Sequence, residues 1–232
     1  CGLARRGFTS AVDGLGGPQG FVPAHHPQHD SSEAILPDGS ETSFMFADVR
    51  HKLHACCHGA HAMIEGLRNL VAAHDITAQN LAALSIRVNP RWLKVCDIKA
   101  PRTGLEVKFS YVFLAAMVLH HIDTAAYQSY DDSICGDAGL IATASKITVI
   151  GDEAISDGAV NVSADTQTGV RHTTDFDLMD PIDLSVLGPR LVAKASVLIG
   201  PARAEKIWES MDDLDSMPAA QMAGCLQPLQ NA

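Results

Sequence analysis

Eleven consecutive residues, His51–His61, hold most of the candidate chemistry in the chain. The segment contains four histidines, two cysteines and one lysine. These side chains lie just before and inside the first turn of a predicted helix. Free backbone N–H groups and the positive end of the helix dipole favour an anion at that position. We therefore expect a carboxylate substrate to dock at this segment.

Two kinds of chemistry fit the segment. In an acid–base interpretation, Lys52 binds the substrate's carboxylates while a neighbouring histidine or thiol moves a proton. In a metal interpretation, Cys57 and His61, four residues apart on one helical face, bind zinc together with His54 or His58. No second Cys or His pair at ligand spacing follows downstream, and adjacent cysteines do not readily chelate one ion. The sequence therefore predicts a site without metal.

The paired thiols also have a structural interpretation. Cys56 and Cys57 could be buried small residues at the joint between a strand and a helix. Both interpretations of the pair stay open at the level of sequence.

Composition limits the class of protein. The chain has 232 residues with 17 Lys plus Arg against 27 Asp plus Glu, a net charge of −10. This length allows one or two domains, and the acidic balance argues against a nucleic acid partner. Apolar runs are far shorter than the ~20 residues of a membrane span, which predicts no membrane partner. Six scattered cysteines and the absence of a signal-peptide pattern predict a cytoplasmic protein with reduced thiols.

The elements that position the segment can be predicted from periodicity. Over Gly59–His74 the apolar residues recur at intervals of three and four, which predicts a helix with one buried face. The opposite face carries His61, Glu65 and Arg68. Leu84–Val88 alternates apolar and polar residues and predicts a half-buried strand.

The rest of the chain mixes helices and strands without strict alternation. This order favours an α+β domain over a parallel α/β sheet. Further predicted elements are an apolar helix over Phe109–Ile122, strands over Ile147–Ile150 and Ala159–Ser163, an edge over Gly169–Thr174, and helices over Ile182–Leu198 and Pro201–Met211. A loop or linker is predicted over Val22–Ser43 from its Pro, His, Asp and Ser content.

Several segments together resemble the MmgE/PrpD family, which includes 2-methylcitrate dehydratases, cis-aconitate decarboxylases and iminodisuccinate epimerase. The segment Lys52–Leu67 is similar to the family's lysine, paired-cysteine and threonine–histidine stretch. Three further matches follow the family's order and extend the resemblance to about Met211: Gly2–Ser10 continuing to Gly16–Phe21, Lys108–Ala116, and Ile141–Asp152.

The resemblance implies a split architecture. A large all-helical domain is interrupted by an inserted α+β lid. This chain would carry the end of the helical domain and a linker at 1–44, the lid at 45–180, and helices that return to the helical domain at 181–232. The chain begins at Cys1, and we expect it to continue a longer protein whose first half supplies the remaining helices.

The resemblance also assigns residues. Lys52 corresponds to the lid lysine, and His61 to the histidine that opens the following helix. Cys57 stands where cis-aconitate decarboxylases have a catalytic histidine, with His58 next to it. The predicted catalytic residues are therefore Lys52, Cys57, His58 and His61.

Two further residues are candidates for substrate binding. The family's tyrosine falls near Phe113, and Tyr111 lies two residues earlier. Arg102 precedes the same predicted helix in a loop, from which it could reach a substrate carboxylate or solvent.

The implied activity is cofactor-free proton removal next to a carboxylate of a small di- or tricarboxylate. Dehydration, decarboxylation or isomerisation would follow, as in a 2-methylcitrate dehydratase. The expected partners are the carboxylate substrate and either a second copy or the helical half. The alternatives are a non-catalytic lid-type binding module and a zinc-dependent hydrolase built on Cys57, His58 and His61.

Overall fold

The computed structural model describes residues 2–9, 12–18, 20–25 and 49–227, without the side chains of residues 225 and 226. Contacts divide the chain into two compact units, Cys1–Arg50 and His51–Ala232. The predicted linker at 22–43 begins inside a short helix, and its remainder lies outside the described residues. The predicted boundaries at 44 and 180 stay predictions.

The described part of the first unit contains two short helices, α1 (Gly2–Arg5) and α2 (Phe21–His25). Turns connect them, and in one of these Asp13 Oδ1 accepts a hydrogen bond from the Gly16 amide at 2.8 Å. The described residues 12–18, which include three glycines, form turns.

The second unit combines helices with one four-stranded sheet, which confirms the predicted α+β class. Its strands are β1 (Leu81–Val88), β2 (Ile147–Gly151), β3 (Ala159–Thr166) and β4 (Arg171–Asp177). Its helices are α3 (His61–His74), α4 (Leu93–Cys96), α5 (Gly104–Val107), α6 (Tyr111–Leu119), α7 (Ala138–Ala144), α8 (Leu184–Ile199), α9 (Pro201–Glu209) and α10 (Ala219–Leu226). Each predicted strand and long helix is present, with ends shifted by a few residues.

The sheet has the strand order β2-β1-β3-β4. Strand β1 runs parallel to β2 and antiparallel to β3, and β3 pairs antiparallel with β4. Leu84, Ile86 and Val88 of β1 are buried, which confirms the predicted half-buried strand. The register places them opposite Ala164, Val162 and Val160 of β3, so side chains of one face form the core.

Helices α3 and α6 cover this core face. Helix α3 packs against β3 and β4, and α6 packs against α3, α7 and β2. All residues of α6 are buried, as its apolar sequence predicts. Gly66 lets α3 approach the sheet closely, because a Cβ there would lie 3.2 Å from both Phe176 Cβ and Val160 Cγ1.

Two details of α3 differ from the sequence prediction. The helix begins at His61 because His58–Ala60 form a 3-10 turn before it. His61 and Glu65, predicted on the polar face, are buried. Neighbouring segments cover both sides of this part of the helix. Among the described residues, no helix is long and apolar enough to cross a membrane.

Candidate functional site

The segment before α3 is attached to the body of the second unit by backbone hydrogen bonds. The Ala55 amide donates to the Thr124 carbonyl at 2.8 Å, and the Cys57 amide donates to the Lys108 carbonyl at 3.0 Å. Because these partners flank α6, the start of α6 and the loop after it together position the whole segment.

A hydrogen-bonded network centred on His54 lies behind this segment. His54 Nε2 is 2.8 Å from Glu65 Oε1, and His54 Nδ1 is 2.8 Å from Thr124 Oγ1. Arg190 of α8 donates to the same Glu65 oxygen at 2.6 Å, and Tyr130 donates to the Thr124 carbonyl at 2.9 Å. Every polar atom of the buried His54 ring therefore has a partner.

Electrostatics define the protonation states in this network. Burial alone would raise the pKa of Glu65, but hydrogen bonds from His54 and Arg190 outweigh it and lower that pKa from 4.5 to about 2. Burial lowers the pKa of His54 despite its hydrogen bond to Glu65. A neutral imidazole beside a carboxylate must donate through Nε2–H, so Nδ1 accepts from the Thr124 hydroxyl.

His61 differs from His54 because one of its ring nitrogens has no hydrogen-bond partner. Its ring lies 5.0 Å from the His54 ring and 5.4 Å from the His58 ring, measured between centroids. The side chain is 1% exposed, and Nε2 has no hydrogen-bond partner. Burial, followed by the neighbouring His54 and His58, lowers the pKa of His61 from 6.5 to about 3. The ring is therefore neutral at physiological pH and holds a polar atom that the described protein leaves unpaired.

His58 is half-buried, whereas Lys52 is exposed. Burial, and after it the positive charge of Lys52, lowers the pKa of His58 below 6.5. The imidazole is consequently unprotonated at neutral pH, which is the state that a general base requires.

The cysteines separate into different environments. Cys56 is buried, and burial, with a smaller contribution from Cys57, raises the pKa of its thiol to about 12. A thiol that stays protonated is a poor nucleophile, so the structural interpretation fits Cys56. Cys57 is half-buried, and its backbone carbonyl accepts a hydrogen bond from the Cys56 thiol at 3.6 Å. Cys56, Cys57, Cys96 and Cys135 are free thiols.

The geometry for a metal centre is lacking in the part of the chain that the structure describes. No group of three or more His, Cys, Asp or Glu side chains there could hold a metal ion. Cys57, His58 and His61 are close along the chain, but their side chains do not form a set of metal ligands.

The two residues predicted to bind substrate lie in different surroundings. The Arg102 side chain is 88% exposed, and its guanidinium is 3.9 Å from Glu106 Oε1. Tyr111 is fully buried, and its hydroxyl donates to the Gly59 carbonyl at 2.8 Å. Burial raises the pKa of this phenol, so it stays protonated. In this structure Tyr111 positions the 3-10 turn, and its binding of substrate stays a prediction.

Positive charge is concentrated at this segment by three lysines, Lys52, Lys108 and Lys194. Burial lowers the pKa of Lys194 of α8, and repulsion from Lys108 and Lys52 acts in the same direction, while Asp123 opposes it. Lys108 Nζ lies 5.0 Å from the centre of the Tyr130 ring. An acidic protein therefore collects cations at this place, where they attract anions.

The contribution of α8 was not predicted from the sequence. Arg190 and Lys194 come from a helix far along the chain, and Glu65 was expected on the solvent side of α3. One signal was available: the two α8 cations are four residues apart, which places them on one face of a predicted helix.

One protein family matches most of the second unit. The model of the MmgE/PrpD C-terminal domain matches residues 54–178. The chain belongs to the MmgE/PrpD family. The matched region of this family member contains the sheet, α3 and α6, together with His58 and His61, whereas Lys52 and α8 lie outside it. A search of the curated proteins gave no match.

Proposed function

We propose that this MmgE/PrpD protein removes a proton next to a carboxylate of a small di- or tricarboxylate, in the manner of a 2-methylcitrate dehydratase. The observation that carries the proposal is the neutral, half-buried His58 beside Lys52, at the edge of a cluster of cations. Family membership supports the class of reaction, and the local geometry supports the roles of individual residues.

The proposed roles follow from charge. The Lys52 ammonium binds a substrate carboxylate and stabilises the negative charge that spreads onto it when the neighbouring carbon loses its proton. His58 accepts that proton on its free ring nitrogen. In a dehydration, the protonated His58 then returns the proton to the departing hydroxyl group, which leaves as water while a carbon–carbon double bond forms.

His61 and Cys57 complete the proposed site in supporting positions. The buried His61 ring lies next to His58, with 5.4 Å between the two ring centroids. Cys57 is half-buried and directly precedes His58 in the chain. We assign the first proton transfer to His58 and not to His61, because His61 Nε2 is inaccessible to solvent in this arrangement.

Turnover by the full-length protein tests the proposal. The substrates are 2-methylcitrate, cis-aconitate and iminodisuccinate, each followed by loss of substrate and appearance of product. We expect activity on one of them, and we expect Lys52→Met and His58→Asn each to lower kcat/KM by about a hundredfold or more. Lys94→Met removes an exposed lysine of α4 and serves as the matched control.

Two results would contradict the proposal. One is no turnover of any of the three carboxylates. The other is a Lys52→Met variant as active as Lys94→Met. The second result would favour a non-catalytic binding module, in which the fold persists without chemistry.

We also propose that the C-terminal helices contact a helical partner, either the helical half of the family or a second copy. Leu184, Val186 and Leu198 of α8 and Trp208 of α9 are exposed. Exposed apolar side chains grouped on neighbouring helices commonly mark an interface. Light scattering of this chain should reveal association, and a strictly monomeric, non-aggregating state would contradict the expectation.

A further inference from the structure

A small pocket with more positive than negative charge in its lining has His54 in its wall. Its volume is about 210 Å³, and it is formed by the loop at Leu53, α3, the loop after α6 and α8. Its charged lining consists of Arg68, Asp123, Arg190 and Lys194. The family model ends at residue 178, so the two α8 residues bring charge to this pocket from outside the matched domain.

The charges around the pocket do not balance. Arg190 is paired with Glu65 at 2.6 Å, and Glu65 is further held by His54. Asp123 is the remaining carboxylate of the lining, which also contains two further cations, the exposed Arg68 and the half-buried Lys194. Among the described residues, no carboxylate forms an ion pair with Arg68. One positive charge is therefore left in excess.

Lys194 and Arg68 also have N–H donors that no acceptor among the described residues uses. Lys194 uses one N–H group on the Ala125 carbonyl, at 2.5 Å, and an ammonium group has three. The guanidinium of Arg68 offers five donors in a planar fork that matches an oxyanion. Repulsion from Lys108 and Lys52 adds to the advantage of a bound negative charge beside Lys194.

We propose that this pocket binds one oxyanion group, a carboxylate or a phosphate, between Arg68 and Lys194. The size agrees with a small ligand, since drug-sized molecules occupy pockets of roughly 300–1,000 Å³. The oxyanion belongs either to a small organic acid or to free inorganic phosphate. Binding of the oxyanion at this pocket does not depend on the proposed reaction.

Calorimetric titration of the full-length protein with citrate and, separately, with inorganic phosphate tests the site. We expect Arg68→Met with Lys194→Met to weaken binding of the occupying anion about tenfold or more. Arg68→Lys and Lys194→Arg keep the charge and should retain most of the affinity. Lys206→Met removes an exposed lysine of α9 and should bind as the unchanged protein does. A thermal unfolding transition for each variant verifies that it is folded.

The two sources of the oxyanion give different results. If an organic acid occupies the pocket, saturating citrate abolishes phosphate binding and both depend on Arg68 and Lys194. If the pocket takes a free anion, phosphate still binds in saturating citrate and only phosphate binding depends on the two residues. The proposal is overturned if the unchanged protein binds neither probe up to about 10 mM. It is equally overturned if the Arg68→Met, Lys194→Met protein binds both probes as Lys206→Met does.

Discussion

His54 and His61 are neighbouring buried histidines with opposite hydrogen bonding. Both rings are almost fully buried and lie 5.0 Å apart. His54 has partners on both ring nitrogens, whereas Nε2 of His61 has none. A buried polar group without a partner costs stability, so the protein keeps His61 at the expense of its own free energy of folding. The fully paired His54 ring stabilises the fold, whereas the unpaired His61 ring lies beside the candidate base His58.

The largest expected effect concerns the carboxylate that anchors His54. Glu65→Gln removes the charge that compensates Arg190, whose guanidinium is about one-third exposed. Breaking a largely buried pair from one side leaves a charge uncompensated, so we expect unfolding free energy to fall by about 3 to 4 kcal/mol. Urea denaturation of the variant and of the unchanged protein measures this loss of unfolding free energy. Glu205→Gln, at an exposed site of α9, should change stability by less than about 0.5 kcal/mol. Equal losses in the two variants would mean that the His54 network is not architectural.

The second-largest expected effect is the contribution of His61 to the pH dependence of the unfolding free energy. The folded-state pKa of His61, about 3, lies below the ordinary 6.5, so the unfolded chain binds a proton first as pH falls. The stability contributed by neutral His61 is present above pH 6.5 and is lost as pH falls toward 3. Between pH 6.5 and about pH 4.5 the loss is roughly 2 to 3 kcal/mol. His61→Leu should show a correspondingly shallower dependence of unfolding free energy on pH.

Replacement of His74 is the control for the His61 experiment. His74 lies exposed in the last turn of the same helix, and its ring stacks on the ring of His172 with 4.0 Å between the centroids. Because the protein does not enclose this ring, His74→Leu should change the pH dependence much less than His61→Leu does. Parallel curves for His61→Leu and the unchanged protein would remove the contrast between the two buried rings.

A smaller effect tests the far side of His54. Thr124→Val keeps the volume of the buried side chain but leaves His54 Nδ1 without its hydrogen bond. We expect a loss of about 1 to 2 kcal/mol, the typical cost of a buried acceptor left unsatisfied. Thr148→Val, at an exposed position of β2, is the matched substitution and should have little effect. If chemical denaturation gave the same midpoint for both variants, the Thr124 contact would carry no stability.

The smallest effect extends the comparison to His58, the third ring of the group. After burial, the charge of Lys52 is the second cause that lowers the pKa of His58. Lys52→Met should therefore move this pKa upward toward 6.5, without restoring it fully because burial remains. Titration of the His58 ring protons by NMR measures the shift. Lys94→Met should leave the titration unchanged, and a downward shift in Lys52→Met would contradict the assignment of the lysine beside His58.

Local patterns predicted the elements because each pattern has a direct physical cause. Leu84–Val88 alternates since one face of β1 packs on the core, and β1 extends that strand to Leu81. The order of the strands was not predictable. The parallel pairing of β1 with β2 and the antiparallel pairing with β3 depend on how α3 and α6 cover the sheet.

The candidate site was predictable only in part. The sequence places Lys52, His58 and His61 close together, because they are neighbours along the chain. It does not show that Glu65 turns inward, since helical periodicity alone puts this residue on the polar face of α3. Its burial results from a partner on α8, and periodicity has no information on contacts between distant helices.

The hydrogen bond between Glu65 and Arg190 also bears on the order in which the protein acquires its structure. The two residues are 125 positions apart, so the bond closes a long loop. During synthesis the α3 carboxylate emerges well before α8 and must wait for its guanidinium partner. Until α8 docks, the Glu65 carboxylate has only the hydrogen bond with His54 among those described here for its side chain. We expect the network to be completed late in folding, which makes the last helices of the chain the step that finishes the surroundings of the site.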